Sequence, residues 1–237
     1  MQPAETLPLS WQRLLALSGT VFAVLFLVGW FASGGDAPDY GASDQDWTAW
    51  ADDNQWKSRI GAFAMLLAGF VFLHFAAIIR TALGGAETTA GDSAQLARAA
   101  FAGAITGMAG MAMAIVIISG TTTEGADANP IVTRAVTHAS AGPFLLSAMG
   151  FAAFLMASGL VTLRTGVFAR WTGVLAVIGA VSFLVAFAAV LSGLGEDSLF
   201  GFGFFPGVLA LVIWAIATSV AQYRRLASAA TGAVTGE

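Results

Sequence analysis

Apolar residues run unbroken by charge through six stretches, residues 14–35, 60–79, 99–123, 135–163, 171–195 and 198–223, of 22, 20, 25, 29, 25 and 26 residues. A helix rises about 1.5 Å per residue and needs about 20 residues to cross a bilayer's hydrocarbon core. The pattern therefore predicts an all-α polytopic membrane protein with six transmembrane helices, near residues 14–34, 60–80, 99–119, 141–163, 171–193 and 203–223. The connections leave no room for a separate soluble domain, so residues 1–237 read as one six-span domain with the lipid bilayer as its medium. Ala32 and Gly34 offer small residues of the kind a signal peptidase accepts, but the first run exceeds the roughly 7–15 residues of a signal core. It is read as span one.

Between the spans, polar residues mark local structure. Gly34, Gly35, Asp36 and Pro38 predict a turn. Ser43 followed by Asp46 resembles a capping box, and Trp47, Trp50 and Ala51 then fall at helical spacing opposite Asp52 and Asp53. This predicts a short interfacial helix in the first outer loop, with Trp56 anchoring span two. A Gly- and Thr-rich inner loop is expected from Gly84 to Gly91, with Asp92 and Gln95 capping span three. Inside span three, Gly103 and Gly107 form a small-xxx-small pair that admits a neighbouring backbone. Asn129 and Pro130 predict a helix start ahead of span four, and Pro143 a break within it. Gly19, Val21, Gly35 and Asp36 find counterparts in Gly179, Val181, Gly195 and Glu196, a faint likeness between spans one and five. The alternation Phe200, Gly201, Phe202, Gly203, Phe204 before Pro206 fits either a bent helix entry or a re-entrant piece.

Composition agrees with the pattern: 57% of residues are hydrophobic and 10% charged, with a mean hydropathy of +0.79. Charge adds direction. Segments on the side of the N-terminus hold seven Arg against four acids, net +3, whereas the alternate segments hold three basic residues against ten acids, net −7. Arg and Lys resist translocation, so both termini are expected in the cytoplasm of a plasma-membrane protein.

Candidate chemistry is sparse. The absence of Cys excludes disulfides, thiolate catalysis and iron–sulfur ligation. His74 is the single ionisable residue well inside a span, which makes it a candidate binding residue. His138, near the outer boundary, lies about 20 Å from it in depth, too far for the pair to clamp a haem iron. The sole Lys, Lys57, stands outside span two, so no retinal site exists, and no cofactor or metal is expected. No span holds Asp or Glu, which disfavours proton-coupled transport. The outer segments are richer: Asp52, Asp53, Arg59, Arg134 and His138 are candidate binding residues, and Ser140 beside His138 is the nearest approach to a hydrolytic pair. Nothing in the charge pattern suggests nucleic acid.

The stretch from Asp52 through Trp56, Lys57, Ser58 and Arg59 to Phe63, and the basic turn from Leu163 through Arg164, Gly166 and Arg170 to Trp171, resemble a set of six-span membrane proteins of high-GC Gram-positive bacteria without an assigned activity. The resemblance implies the fold and a plasma-membrane location. Three functional readings follow from the residues. The first is a non-enzymatic protein that recognises or supports a membrane-protein partner, a second copy of itself, a lipid or a cation through an acidic outer cap. The second is a passive transporter or channel built around His74, and the third a membrane-interface hydrolase.

Overall fold

The structure, a computed structural model, describes residues 9–33, 38, 42–121, 129–192 and 199–234. The expected turn at Gly34 to Asp36, the counterparts Gly195 and Glu196, and the carboxylates Glu5, Asp36, Asp39, Glu124, Asp127, Glu196, Asp197 and Glu237 lie outside the described residues. The elements in chain order are α1 (Leu9–Ala16), α2 (Ser18–Ala32), α3 (Asp44–Asp53), α4 (Gln55–Thr89), α5 (Gln95–Thr121), α6 (Pro130–Ala139), α7 (Ala141–Thr165), α8 (Arg170–Phe187), α9 (Ala189–Ser192) and α10 (Leu199–Val234). Six lengths are long and apolar enough to cross a membrane: Trp11–Ala32, Gln55–Thr89, Gln95–Gly120, Pro130–Thr165, Arg170–Leu191 and Leu199–Ser228. The chain is an all-α polytopic membrane protein, and its outward surface carries large apolar side chains such as Phe31, Phe63 and Phe202, as lipid contact requires.

The spans form a closed ring in chain order: α2 packs on α4, α4 on α5, α5 on α7, α7 on α8, α8 on α10, and α10 returns to α2. The α5–α7 joint is the most extensive and the α2–α10 joint the least extensive. Glycine makes the first possible. A Cβ built on Gly150 would stand 2.2 Å from the Gly107 nitrogen and 2.6 Å from its Cα, so the two backbones cross in direct contact. Gly103 meets Gly150 and Phe154 in the same way, which bears out the small-xxx-small reading of span three.

The centre of the ring is filled. Phe204 lies 5.8 Å, centroid to centroid, from Phe183, Phe183 5.5 Å from Phe151, and Phe151 5.9 Å from Phe72. The series continues to Phe154 at 5.5 Å, Trp214 at 5.3 Å and Phe168 at 6.4 Å. These separations and their largely edge-on geometry are those of favourable aromatic pairs. A column of rings thus runs along the bundle axis to the basic end, where the Arg225 guanidinium sits 5.5 Å over Phe168.

Several boundaries differ from expectation. The loop expected at Gly84 to Gly91 is largely helix: α4 continues to Thr89, with the Thr88 and Thr89 hydroxyls donating to Gly84 and Gly85 carbonyls. Asp92 does not cap span three. It pairs with Arg164 at 2.8 Å, and the cap comes from the preceding helix, where the buried Glu87 carboxylate accepts from Leu96 N at 3.2 Å and Ala97 N at 2.8 Å. Ala94, in the left-handed region at φ 55°, has no side chain able to do this work. The break in span four sits at Ser140, between α6 and α7, because Pro143 has no N–H to return to the Ala139 carbonyl. The Phe–Gly alternation belongs to α10, which runs through Pro206 without a re-entrant turn.

Two outcomes test this packing. Gly150→Val should abolish recovery of folded protein or lower stability by about 1–3 kcal/mol or more, whereas Gly85→Ala, with open space around it, should be neutral or stabilising by up to about 1 kcal/mol; melting temperature in detergent reads both. Glu87→Ala should cost about 1–3 kcal/mol by leaving two helix-start amides without their acceptor, and Glu87→Gln should cost less in the same assay because one carbonyl oxygen remains.

Candidate functional site

At the end of the ring opposite most of the arginines, α3 lies over the mouth of the bundle. Its start follows the predicted box: Asp46 N donates to Ser43 Oγ at 3.2 Å and Ser43 N donates back to Asp46 Oδ2 at 3.2 Å. Trp47, Trp50 and Ala51 form its buried stripe, as their spacing predicts, with the two indoles edge-to-face at 5.9 Å. α3 packs against α6, whose own start is capped by Asn129 Oδ1 accepting from Ile131 N at 3.1 Å. Arg134 of α6 donates to Asp44 Oδ1 at 3.0 Å, an ion pair with both side chains partly exposed. The helix after Ser43 and the start of span four therefore do meet in a cap.

Beneath this cap is a cavity of about 260 Å³. Trp47 and Trp50 line it from α3, Trp30 and Ser33 from α2, and Ser58, Ala62 and Met65 from α4. Ile115, Ile118 and Ser119 contribute from α5, Thr137 from α6 and Phe144 from α7. The remaining wall is Pro38, between α2 and α3, and Phe200, Phe204 and Phe205 of α10. Phe204 is at once part of this lining and the first ring of the axial column. The cavity is thus a vestibule seated on the aromatic core, reaching Phe204, about 8 Å along α10 from its start.

Two features of the lining have chemical meaning. The first is polarity without charge: the described lining residues are aromatic, aliphatic or hydroxyl-bearing, and none of them carries a formal charge. The Ser33 hydroxyl donates to Trp30 O at 3.0 Å and that of Thr137 to Thr133 O at 2.9 Å, so their donor capacity is used within their own helices. The second is the Trp50 indole. Its Nε1 is buried and has no hydrogen-bond partner, although the residue is only 9% exposed. A buried N–H of this kind calls for an acceptor.

At the α2–α10 joint Trp30 and Phe205 meet edge-to-face at 5.7 Å, and Phe205, which lines the vestibule, is 57% exposed.

The residues singled out from sequence are distributed otherwise. Asp52 and Asp53 are exposed on α3, away from the vestibule lining, and Asp52 Oδ1 accepts from Gln55 Nε2 at 3.1 Å. Arg59 is exposed on the second turn of α4, and His138 is exposed on α6. Arg134 is joined to Asp44 and not to His138. Ser140 is wholly buried and its hydroxyl donates to Thr137 O at 2.6 Å, closing the α6–α7 turn. His74 is exposed beside Phe70 and Leu73 on the outward face of α4, while Phe72 and Phe75 of the same turns point to the core. Its Nδ1 lies 3.0 Å from the Phe70 carbonyl, where it donates, and its ring centroid is 4.8 Å from that of Phe70, the planes tilted by 60°. Among the described residues, no group of three His, Asp or Glu stands together in a way that could hold a metal ion.

Sequence reasoning did not name Trp30, Ala62, Phe144, Phe204 or Phe205 as site residues. The one available signal was the pairing of Phe200 with Phe204 a turn apart, which the Phe–Gly alternation displays. Compared with protein-family models, curated proteins and solved structures, the chain gives no match in any of the three.

If the Trp stripe and not the ion pair holds α3 in place, a double-mutant cycle of Asp44→Asn with Arg134→Gln should give a coupling below about 1 kcal/mol, as for other partly exposed pairs. A coupling of about 3 kcal/mol in chemical denaturation would instead make the ion pair the main tie.

Proposed function

We propose that the chain is a non-enzymatic membrane protein that binds a lipid-like amphiphile in the vestibule under α3, with the acidic end facing the exterior of a plasma membrane and both termini in the cytoplasm. The observation that carries this reading is the vestibule itself: an aromatic-walled cavity at the end of the bundle whose described lining residues carry no charge. Ligand sites of this kind are concave, mainly apolar and furnished with a few polar groups. Of the occupants that an acidic cap allows, a cation fits this lining less well, because the carboxylates of α3 stand on its outer side. The Lys and Arg asymmetry supports the orientation.

Transport through the bundle has less support, since rings occupy its axis and His74 is turned outward. A hydrolase has less still, with the Ser140 hydroxyl committed to a backbone carbonyl.

Native mass spectrometry of protein purified in mild detergent should find a co-purifying lipid-sized species. Ala62→Phe, which pushes a ring into the cavity from α4, should lose that species while its melting temperature holds or rises. Wild-type protein free of adduct after purification from its own membrane, or full retention in Ala62→Phe, would contradict the reading.

A further inference from the structure

The basic end of the bundle carries a second cavity, of about 330 Å³, remote from the vestibule. It lies between the entry to α8, with Phe168, Trp171 and Thr172 on its wall, and the later turns of α10, with Thr218, Ala221 and Arg224. The hydroxyl donors of this lining are spent on backbone carbonyls: Thr172 Oγ1 donates to Ala169 O and Thr218 Oγ1 to Trp214 O, both at 2.8 Å. Most arginines of this end are also engaged. Arg13 donates to the Leu226 and Ala227 carbonyls, Arg164 pairs with Asp92, and Arg80 lies 5.2 Å over the Phe101 ring. Arg225 donates to the Val167 carbonyl and covers Phe168. Arg224, its neighbour in the chain, is different: it lines the cavity, is exposed, and has no ion pair, hydrogen bond or ring contact among the described residues. Arg170, one residue before Trp171, is exposed and equally unengaged.

The balance of charge at this end stays positive. Of its four acids, Asp92 is paired and Glu87 accepts from two amides, while Glu5 and Glu237 lie outside the described residues. With all four counted, the segments of this side still sum to +3. Away from the cavity and toward the middle of the spans, the surface turns apolar. Val174 and Ile178 follow Trp171 at helical spacing on α8, Leu209 and Ile213 precede Ala217 on α10, and all four are exposed on helices that pack against each other.

We infer that the cavity between α8 and α10 is a surface site for an anionic phospholipid, its headgroup phosphate held by Arg224 with Arg170 nearby and its acyl chains lying along the exposed stripes of the two helices. A guanidinium gives a phosphate charge-assisted hydrogen bonds, and a basic pocket between transmembrane helices is a favourable place for such a head. The flexible stem of an exposed arginine has the reach to bring its charge over the mouth. Trp171, 55% exposed, stands on the same wall as an aromatic residue suited to headgroup depth. A zwitterionic lipid offers the same phosphate and chains but carries its own ammonium, so a positive rim favours it less. A free phosphate offers the charge but nothing for the apolar stripes. The site requires the membrane-spanning fold and is independent of what the vestibule binds.

The experiment uses the full chain, delipidated in detergent and titrated in turn with dioleoylphosphatidylglycerol, dioleoylphosphatidylcholine and glycerol 3-phosphate, with native mass spectrometry and melting temperature as readouts. Phosphatidylglycerol should bind most tightly, and Arg224→Gln should weaken it about fivefold, the effect of one cation at the membrane surface, while phosphatidylcholine is unchanged. Ala221→Leu, which narrows the cavity from α10 without touching charge, should weaken phosphatidylglycerol as well. Arg98→Gln removes an exposed arginine of the same end from α5, and should leave binding as it was. Equal affinity for the two lipids, or glycerol 3-phosphate binding as tightly as phosphatidylglycerol, would overturn the assignment. An equal loss in Arg98→Gln would reduce the effect to diffuse charge and overturn it too, as would binding that survives both Arg224→Gln and Ala221→Leu. The vestibule variant Ala62→Phe should leave this titration unaltered. Phosphatidylglycerol lost in Ala62→Phe and kept in Arg224→Gln would put the lipid in the vestibule and refute the site at the basic end.

Discussion

Apolar side chains gain nothing by leaving lipid for the interior of a bundle, so the helices of this chain must be held by closeness of fit. The contact of Gly107 with Gly150 is the clearest expression of that constraint, and the rest of the ring is arranged around it. It brings α5 and α7 together without intervening side chains, which draws Phe151 and Phe154 onto the axis. Gly203 plays a similar part on α10, where an added Cβ would stand 2.4 Å from Ser182 O and Ala186 N of α8. The large side chains displaced from these crossings collect in the centre as the aromatic column. Backbone closeness at the joints and bulk at the axis are two sides of one packing solution.

The same solution accounts for the vestibule. Beyond Phe204 the rings pass to Phe200 and Phe144, which stand at the cavity wall, and α3 lies across that end of the bundle. α3 can take this position because its capping box fixes where it starts and its two Trp residues provide an apolar underside, while its carboxylates stay on the opposite face. A roof with a dry lower side and a charged upper side leaves a cavity that is apolar but not featureless. Trp50, one of its lining residues, keeps a buried N–H with no hydrogen-bond partner, and hydroxyls of Ser33, Ser58, Ser119 and Thr137 stand among the lining residues.

Much of the architecture was legible in the sequence, because charge-free length and turn chemistry are local signals. Six spans, the box at Ser43 and Asp46, the stripe of Trp47, Trp50 and Ala51, the start at Asn129 and the small-residue seam at Gly103 and Gly107 all follow from residues close together in the chain. What could not be read depended on helix rotation or on distant partners. His74 invited a functional role, yet a span that is apolar all round does not reveal which side faces inward, and the imidazole lies outward on Phe70. Glu87 sat in a stretch that read as a loop, since its value comes from two amides of the next helix. The vestibule was hidden for the same reason: its walls come from α2 to α7 and α10, one or a few residues each, and an inward Phe is indistinguishable in sequence from a lipid-facing one. Phe204 and Phe202, two positions apart, have opposite fates.

The most direct measurement of the central claim is an experimental structure of the protein in nanodiscs prepared with brominated lipid of the native membrane. The account predicts non-protein density of lipid size between Trp50 and Phe204. A vestibule collapsed on itself, or one whose space holds only water, would contradict it.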